Sequence, residues 1–232
     1  MIGILGGMGT QAGLDLCNKL AMLYRGKSDQ EYPKFILYNK SDTPKRPENL
    51  KKYYNVLNEL VRGCKLLQRN KCKFIVMPCN TAHYWYDDLK KKIKIPILSM
   101  PEEAYLYTKR NCKPDAKIGL LSTEATIKTK VYNKYFNNNF HLVYPTKTIQ
   151  KKNVNPAIKL VKQGKVKEAS KIIQPAIRYF RRIKCDRIIL GCTELPIAVF
   201  AFKSYKFSIQ SKIFIDPNLI LAEVCKNKYN SI

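Results

Sequence analysis

An internal repeat constrains the fold of this chain more than any other feature of its sequence. Three landmarks occur in the same order in both halves: a strand ending in a small-residue turn, an apolar run ending at a cysteine, and an apolar run leading to a proline. The matching segments are Ile2–Gly6 with Ile118–Ser122, Lys73–Thr81 with Asp186–Thr193, and Ile95–Glu103 with Ile213–Pro217. Landmarks that repeat in register predict two similar units, which we expect to be related by a pseudo-twofold axis.

Short apolar runs alternate with longer amphipathic segments along the whole chain. Eight runs bounded by turn residues predict buried β-strands: Ile2–Leu5, Phe35–Tyr38, Phe74–Met77, Ile95–Leu98, Lys117–Leu121, Phe140–Tyr144, Arg187–Leu190 and Lys212–Ile215. The amphipathic segments predict helices over Ala12–Tyr24, Leu50–Gln68, Tyr84–Lys92, Glu102–Arg110, Lys128–Phe136, Asn155–Lys162, Lys165–Arg182 and Asn218–Tyr229. This alternation indicates an α/β protein with parallel sheets, in which ligands bind beyond the carboxyl ends of the strands.

The repeat also suggests where the two units begin and end. We expect residues 1–99 together with 210–232 to form a first lobe that carries Cys79, and residues 100–209 to form a second lobe that carries Cys192. Both cysteines follow a buried strand and precede a helix. Because equivalent loops of two matched lobes would meet, we expect the two thiols to face each other across an interlobe cleft.

Composition excludes several other classes of protein. The 232 residues include eight cysteines, none in a C-x-x-C pair, and two histidines, so we expect neither a disulfide framework nor a zinc site. No apolar run approaches the 18–20 or so residues that span a bilayer. The N-terminus also lacks the features of a signal peptide. We therefore expect a cytoplasmic protein that has no membrane partner.

The net charge of +26 makes a nucleic-acid-binding module the main non-enzymatic alternative. Such a module would bind RNA with strong salt dependence and would leave the cysteines without a function. The lysines are dispersed, however, and they accompany many asparagines, tyrosines and isoleucines, a combination that AT-rich codons produce. We expect no nucleic-acid partner, and the basic surface would instead attract small anionic substrates.

The cysteine pair suits the racemisation of an amino acid. This reaction removes a proton from one face of Cα and returns one to the other face, so two acid–base groups on opposite sides are needed. A thiol has a pKa of about 8.5, which a loop between a strand and a helix lowers further toward working pH. One cysteine must start as the thiolate and the other as the thiol.

Polar residues beside the cysteines could hold the α-carboxylate, whose oxygens gain charge when Cα is deprotonated. These residues are Asn80, Thr81 and Thr193. The turn Gly6–Gly9, which contains Met8, would allow close approach of a ligand to the backbone. A nucleotide site is the alternative interpretation of this turn, but the turn matches neither G-x-G-x-x-G nor a P-loop.

Three motifs resemble those of the aspartate/glutamate racemase superfamily, and most closely those of its aspartate racemases. They are Ile4–Gly9, Ile75–His83 around the first cysteine and Ile188–Pro196 around the second. The resemblance covers nearly the whole chain. It implies two flavodoxin-like lobes, a two-base mechanism without pyridoxal phosphate or other cofactor, an acidic amino acid as substrate and, for many members, a homodimer.

The resemblance also implies positions for substrate binding. Arg46 matches an arginine that holds the substrate carboxylate, Lys162 matches a lysine used in the same way, and Thr123 stands where a small polar residue contacts substrate. A guanidinium can bind a carboxylate through two hydrogen bonds, which suits Arg46 to this role. Thr10 departs from the family pattern, which usually has proline there, and the segment after Arg46 is shorter than in relatives.

Several questions remain open at the level of sequence. The substrate could be aspartate, glutamate or several acidic amino acids, and the same fold also supports maleate isomerases and hydantoin racemases. His83 could tune the Cys79 thiol or only cap and pack, and Glu194 could tune Cys192 or bond to a helix N-terminus. We expect the other six cysteines to be small buried apolar residues and Trp85 to serve packing.

Overall fold

The computed structural model describes residues 1–24, 26–46, 51–201 and 212–231. The chain divides into two compact units, one formed by Met1–Glu103 with Asn218–Ile232 and the other by Ala104–Pro217. We call them lobe 1 and lobe 2. Each contains a parallel four-stranded sheet with helices, so the predicted two-lobed α/β fold is confirmed.

Lobe 1 is built on four parallel strands in the order β2-β1-β3-β4. The strands are β1 (Ile2–Gly6), β2 (Phe35–Asn39), β3 (Phe74–Val76) and β4 (Ile97–Leu98). The helices are α1 (Thr10–Tyr24), α2 (Tyr53–Arg69), α3 (Tyr86–Lys92), the start of α4 (Met100–Asn111) and the C-terminal α12 (Pro217–Asn230), together with 3₁₀ turns at Asp29–Glu31 and Asn80–Trp85.

Side chains alternate between the two faces of the lobe 1 sheet, as the period of a β-strand requires. Leu5 and Ile75 belong to a buried cluster that includes the apolar residues of α2 and α3. Ile4 and Val76 belong to a second cluster that includes residues of α1 and α12. Helices therefore cover both faces of the sheet, and the functional loops are left to the ends of the strands.

Lobe 2 repeats this plan with strands in the order β6-β5-β7-β8. The strands are β5 (Lys117–Leu121), β6 (His141–Val143), β7 (Arg187–Leu190) and β8 (Phe214–Ile215). The helices are α5 (Glu124–Lys128), α6 (Asn133–Phe136), α7 (Lys147–Ile149), α8 (Asn155–Lys162), α9 (Val166–Ile172), α10 (Gln174–Arg182) and α11 (Leu195–Val199), and a π-helical turn covers Gln150–Val154. In both lobes the first strand is central and the third lies beside it.

Close packing of α10 on the lobe 2 sheet depends on one glycine in β5. A Cβ atom at Gly119 would lie 2.6 Å from the ring of Phe180, which is fully buried. Phe180 joins Leu121, Ile188 and others in the main core of the lobe. The glycine therefore sets the distance between the helix and the sheet that carries Cys192.

All eight predicted strands are present, but two predicted helices are each divided. The segment Lys128–Phe136 forms the end of α5 and then α6, because Lys130 adopts a left-handed backbone conformation with φ 54°. The segment Lys165–Arg182 forms α9 and α10, which meet at Ile173, just before Pro175 near the start of α10. Proline has no backbone N–H and cannot continue the hydrogen-bond ladder of a preceding helix.

The boundary between the lobes also differs from the one predicted at residue 210. β8 pairs in parallel with β7, so residues 214 and 215 belong to the second sheet. The chain returns to lobe 1 only with α12, where Leu221 and Cys225 pack among Leu16, Leu20 and other residues of that lobe's core. Among the described residues, no helix has the length and apolar character needed to cross a membrane.

Candidate active site

Cys79 lies at the carboxyl end of β3 in lobe 1. Its side chain is buried, with a relative exposure of 6%, and it belongs to the same apolar cluster as Met8. The Cys79 backbone N–H donates to the carbonyl of Met77 at 2.7 Å, and the residue is the N-cap of the 3₁₀ turn Asn80–Trp85. The thiol is therefore held between the end of a central strand and the start of a turn.

His83 fixes the backbone of this loop. Its Nε2 accepts a hydrogen bond from the Met100 N–H at 3.0 Å, so Nδ1 carries the proton and donates to the Cys79 carbonyl at 2.9 Å. Burial lowers the pKa of His83 to about 4, although backbone hydrogen bonds partly oppose this shift. The imidazole is neutral at pH 7 and links Cys79 to the start of α4, which supports the capping interpretation of His83.

Arg46 and the glycine turn form one buried structure in lobe 1. The guanidinium donates to the backbone carbonyls of Met8, Thr43 and Pro44. These contacts use up to three of its five N–H groups. Arg46 thus lies beside Met8, and it joins the turn after β1 to the segment after β2.

A second contact holds the same turn. Gly7 has φ +86°, and a Cβ atom there would lie 2.2 Å from the carbonyl carbon of Lys40. The buried Lys40 ammonium contacts Asp42 at 2.8 Å and Glu59 at 2.7 Å, which ties the end of β2 to α2. Sequence reasoning missed this ion triad, because Glu59 lies in α2, 19 positions after Lys40, and no common spacing links it to Lys40 and Asp42.

Cys192 occupies the corresponding position in lobe 2, after β7. Its side chain is buried, with a relative exposure of 7%, and its Sγ donates a hydrogen bond to Glu194 Oε2 at 3.0 Å. Burial and then the negative charge of Glu194 raise the pKa of this thiol well above its ordinary value. The expectation that the loop lowers the thiol pKa toward working pH is therefore wrong for Cys192, which is protonated at neutral pH in this conformation.

Glu194 joins Cys192 to Lys162. The Lys162 ammonium lies 3.6 Å from Glu194 Oε1, and this lysine side chain is 46% exposed while that of Glu194 is 3% exposed. Glu194 is also the residue before α11, but its side chain makes no capping hydrogen bond there. Of the two interpretations left open by the sequence, the structure thus supports the contact with the thiol.

The remaining predicted positions are small polar residues beside the strand ends. Asn80, Thr81 and Thr193 are buried next to their cysteines. Thr123 follows β5 and caps α5, because its Oγ1 accepts from the Thr126 N–H at 3.1 Å. In each lobe, the predicted residues therefore lie at the carboxyl ends of the first and third strands, or in the segments that contact those ends.

The other six cysteines lie outside the loops after β3 and β7 that carry this pair. They are free thiols, four of them buried and two partly buried. Burial raises the pKa of each, to about 11 for Cys17 and about 12 for Cys64. Such thiols are poor nucleophiles and bases at neutral pH. Their environment agrees with the predicted packing role.

Comparison with known proteins gives a consistent result over the length of the chain. Residues 5–225 match the family described as Asp/Glu/Hydantoin racemase. The chain is 28% identical to the broad specificity amino-acid racemase RacX of Bacillus subtilis (strain 168), over 99% of this chain and 98% of that protein. It is 25% identical to a glutamate racemase of Aquifex aeolicus (strain VF5), over 72% of this chain and 64% of that enzyme.

A solved structure supports the same conclusion. The structure of Picrophilus torridus aspartate racemase is similar to this one with a TM-score of 0.82 and 29% sequence identity, and the alignment covers 99% of this chain and 94% of that chain. The family match, the two parallel sheets and the cysteine after the third strand of each sheet agree. The chain belongs to the Asp/Glu/Hydantoin racemase family.

Proposed function

We propose that this protein is a cofactor-independent amino-acid racemase that interconverts L- and D-aspartate, with Cys79 and Cys192 as its two acid–base groups. One observation carries the proposal. Two sheets with the same strand order each present one buried cysteine after their third strand, and a polar residue follows each cysteine directly. A two-base racemisation uses two such groups, one for each face of Cα.

The proposed reaction moves one proton off Cα and another onto it. Cys79 as thiolate takes the α-proton, the electron pair left on Cα spreads into the α-carboxylate, and the Cys192 thiol gives its proton to the opposite face. Cys192 then carries the negative charge, and Cys79 carries the proton. The reverse reaction exchanges these roles.

The assignment of Cys192 as the first proton donor rests on its surroundings. Its Sγ donates to a buried carboxylate at 3.0 Å, and burial and that charge raise its pKa. A thiol in this setting keeps its proton until the reaction creates a site that can accept it. The hydrogen bonds of Cys79 in this loop are made by its backbone N–H and carbonyl. We therefore assign Cys79 as the group that first removes the α-proton.

Arg46 and Lys162 are the proposed carboxylate-binding residues. Each is a cation in a segment that contacts a strand-end loop of its lobe: Arg46 bonds to Met8, and Lys162 lies near Glu194. A dicarboxylic amino acid offers two anionic groups to such cations. Met8, Asn80, Thr81, Thr123 and Thr193 complete the proposed binding set. Similarity to an aspartate racemase favours aspartate, and glutamate or broad acidic specificity is the alternative.

We also propose that the enzyme acts in the cytoplasm as a homodimer. Light scattering of the purified protein tests the oligomeric state. A mass of twice 26.9 kDa would support the homodimer, and the mass of one chain at working concentration would contradict it.

Chiral chromatography of an amino-acid panel tests the reaction. We expect purified protein, without added pyridoxal phosphate or metal, to convert L-aspartate to the racemic mixture. Faster conversion of glutamate would shift the substrate assignment, and no conversion of any acidic amino acid would refute the proposal.

The isotope pattern in deuterium oxide tests the two-base step. Starting from one enantiomer, we expect early product to carry deuterium at Cα while the remaining substrate carries almost none. Two thiols produce this pattern, because the group that removes the proton is not the group that supplies the new one. A single base would return part of the original hydrogen to the product, which would contradict the mechanism.

A further inference from the structure

We propose that lobe 2 carries a second ligand site, for a small organic anion, at the edge of its sheet. A cavity of about 470 Å³ lies where α5, the segment after β6 and the π-helical turn meet. Its volume is within the range of ligand pockets, about 300–1,000 Å³. We call it the β6-edge cavity. None of the proposed catalytic or substrate-binding residues lines it.

The walls of the β6-edge cavity combine apolar surface with positive charge. Ile127, Pro145 and the ring of Tyr144 are partly buried and provide the apolar part. The Tyr144 hydroxyl donates to Asn133 Oδ1 at 2.9 Å, so the ring is held in place. Three exposed lysines complete the lining: Lys128, Lys147 and Lys151.

The charges of the cavity are unbalanced. In the described part of the chain, none of the three lysines forms an ion pair. Glu124 is the one acidic side chain that lines the cavity, and its Oε1 accepts a hydrogen bond from Asn155 Nδ2 at 2.9 Å. Three ammonium groups and one carboxylate leave two positive charges around a single space. An anion placed there would reduce the repulsion among the lysines.

One wall of the cavity is fixed by a chain of hydrogen bonds. Gln150 is buried, and its Nε2 donates to the Ser122 carbonyl at 2.9 Å and to Asn155 Oδ1 at 2.7 Å. Because Asn155 donates in turn to Glu124, the orientation of both amides is determined. Gln150 Oε1 is a buried acceptor with no hydrogen-bond partner among the described residues, so it offers nothing to an anion, and Gln150 contributes to the site only by fixing this wall.

These features select a class of ligand. A single carboxylate or phosphate would interact with the lysines, and a compact aromatic or branched body would cover Ile127, Tyr144 and Pro145. Aspartate has no apolar body, so the expected ligand is different from the proposed substrate. Aryl carboxylates and aryl phosphates share the required chemistry, and an experiment can distinguish between them.

Methyl NMR of the isoleucine side chains tests the site directly. The Ile127 signal is assigned from its loss in Ile127→Val. We expect phenylacetate or phenyl phosphate to move this signal in a saturable manner, and the larger shift identifies the preferred acidic group. Acetate and inorganic phosphate, which lack the apolar body, should move it much less. An equal response to inorganic phosphate would reveal an adventitious ion only.

A pair of charge-matched variants tests the role of the lysines. The triple variant K128Q/K147Q/K151Q should weaken binding of the preferred aryl anion by about tenfold or more. The control variant K159Q/K165Q/K167Q removes the same charge from exposed positions of lobe 2 outside the cavity and should bind nearly as the native chain does. Equal weakening in both variants, or no saturable shift of the Ile127 methyl at millimolar aryl anion, would overturn the proposal. Neither result bears on the racemase proposal.

Discussion

The loops that carry Cys79 and Cys192 follow equivalent strands, yet they hold their cysteines differently. The Cys79 loop is held through its backbone: a neutral histidine binds its carbonyl. The Cys192 loop is held through the thiol, which donates to a buried carboxylate that lies near a lysine. A repeated scaffold thus provides two cysteines at equivalent positions, and the residues that contact them are not equivalent.

In the proposed two-base reaction, the two thiols must start in opposite protonation states. Two thiols in equal surroundings would have the same pKa, and nothing would assign one as acid and the other as base. Burial and the carboxylate of Glu194 raise the pKa of Cys192.

Loss of either thiol should have the largest effect. We expect Cys79→Ala and Cys192→Ala each to reduce racemisation of aspartate by about 10³-fold or more, because proton transfer by a positioned group contributes about 10²–10⁴-fold. The rate is measured by circular dichroism or chiral chromatography. Cys64→Ala, which removes a buried thiol outside the proposed site, is the control and should remain active. A variant that still racemised without one of the pair would end the two-base mechanism.

Glu194→Gln should remove the asymmetry between the loops. We expect the turnover rate to fall by about 100-fold. The limb of the pH–rate profile that needs protonated Cys192 should also move to lower pH, because the charge that holds its proton is gone. Glu168→Gln removes an exposed carboxylate from α9 and serves as the matched control. A rate loss with an unmoved pH profile would indicate a structural role for Glu194 only.

His83 should make the stability of the protein depend on pH. Its pKa is about 4 in the folded chain, while an unfolded chain has the ordinary value of about 6.5. Below the ordinary value the unfolded state binds the additional proton, so stability present at pH 7 is lost as the pH falls toward 4. We expect a loss of about 2 kcal/mol in the free energy of unfolding between pH 7 and pH 5.

Denaturant unfolding at the two pH values measures this effect. The pH-dependent loss should largely disappear in His83→Gln. It should persist in His141→Gln, which removes the exposed histidine of the chain. An unchanged loss in His83→Gln would show that other groups cause it and that His83 is not buried in its neutral form.

Thr123→Ala should have the smallest effect. Thr123 caps α5, and loss of an N-cap hydroxyl destabilises a protein by about 1 kcal/mol. Thr123→Ser keeps the hydroxyl and should restore the native stability. The KM for aspartate separates capping from substrate contact: if KM rises in Thr123→Ala and returns in Thr123→Ser, the hydroxyl also serves the substrate. An unchanged KM would restrict Thr123 to its role in the helix.

The sequence predicted the strands better than the helices, for a physical reason. Buried parallel strands are continuous apolar runs, so Lys117–Leu121 and Arg187–Leu190 could be delimited to the residue. Helix interruptions depend on single residues. An amphipathic pattern does not show that Lys130 adopts a left-handed conformation. The predicted helix Lys165–Arg182 extends through Pro175, although this proline lies in the first turn of a separate helix. The predicted boundary between the lobes was wrong because β8 pairs with β7, and a sequence pattern does not show such a tertiary contact.

The candidate site could be proposed from the sequence where its residues lie in contiguous motifs. Cys79 with Asn80 and Thr81, and Cys192 with Thr193 and Glu194, are close neighbours in sequence. The contacts that define their surroundings are not local: Lys162 precedes Glu194 by 32 positions, and Met100 follows His83 by 17. The sequence could therefore name Glu194 and His83 as candidates but could not decide what each of them contacts.

The path of the chain has a consequence for synthesis on the ribosome. Lobe 2 is a continuous stretch, whereas lobe 1 needs α12 from the far end of the chain to bury Ile2, Ile4 and Leu16. The second half of the protein can thus complete its interior while the first half still lacks its last helix. Lobe 1 therefore cannot complete the core around Ile2, Ile4 and Leu16 until the segment that follows lobe 2 in the chain has been made.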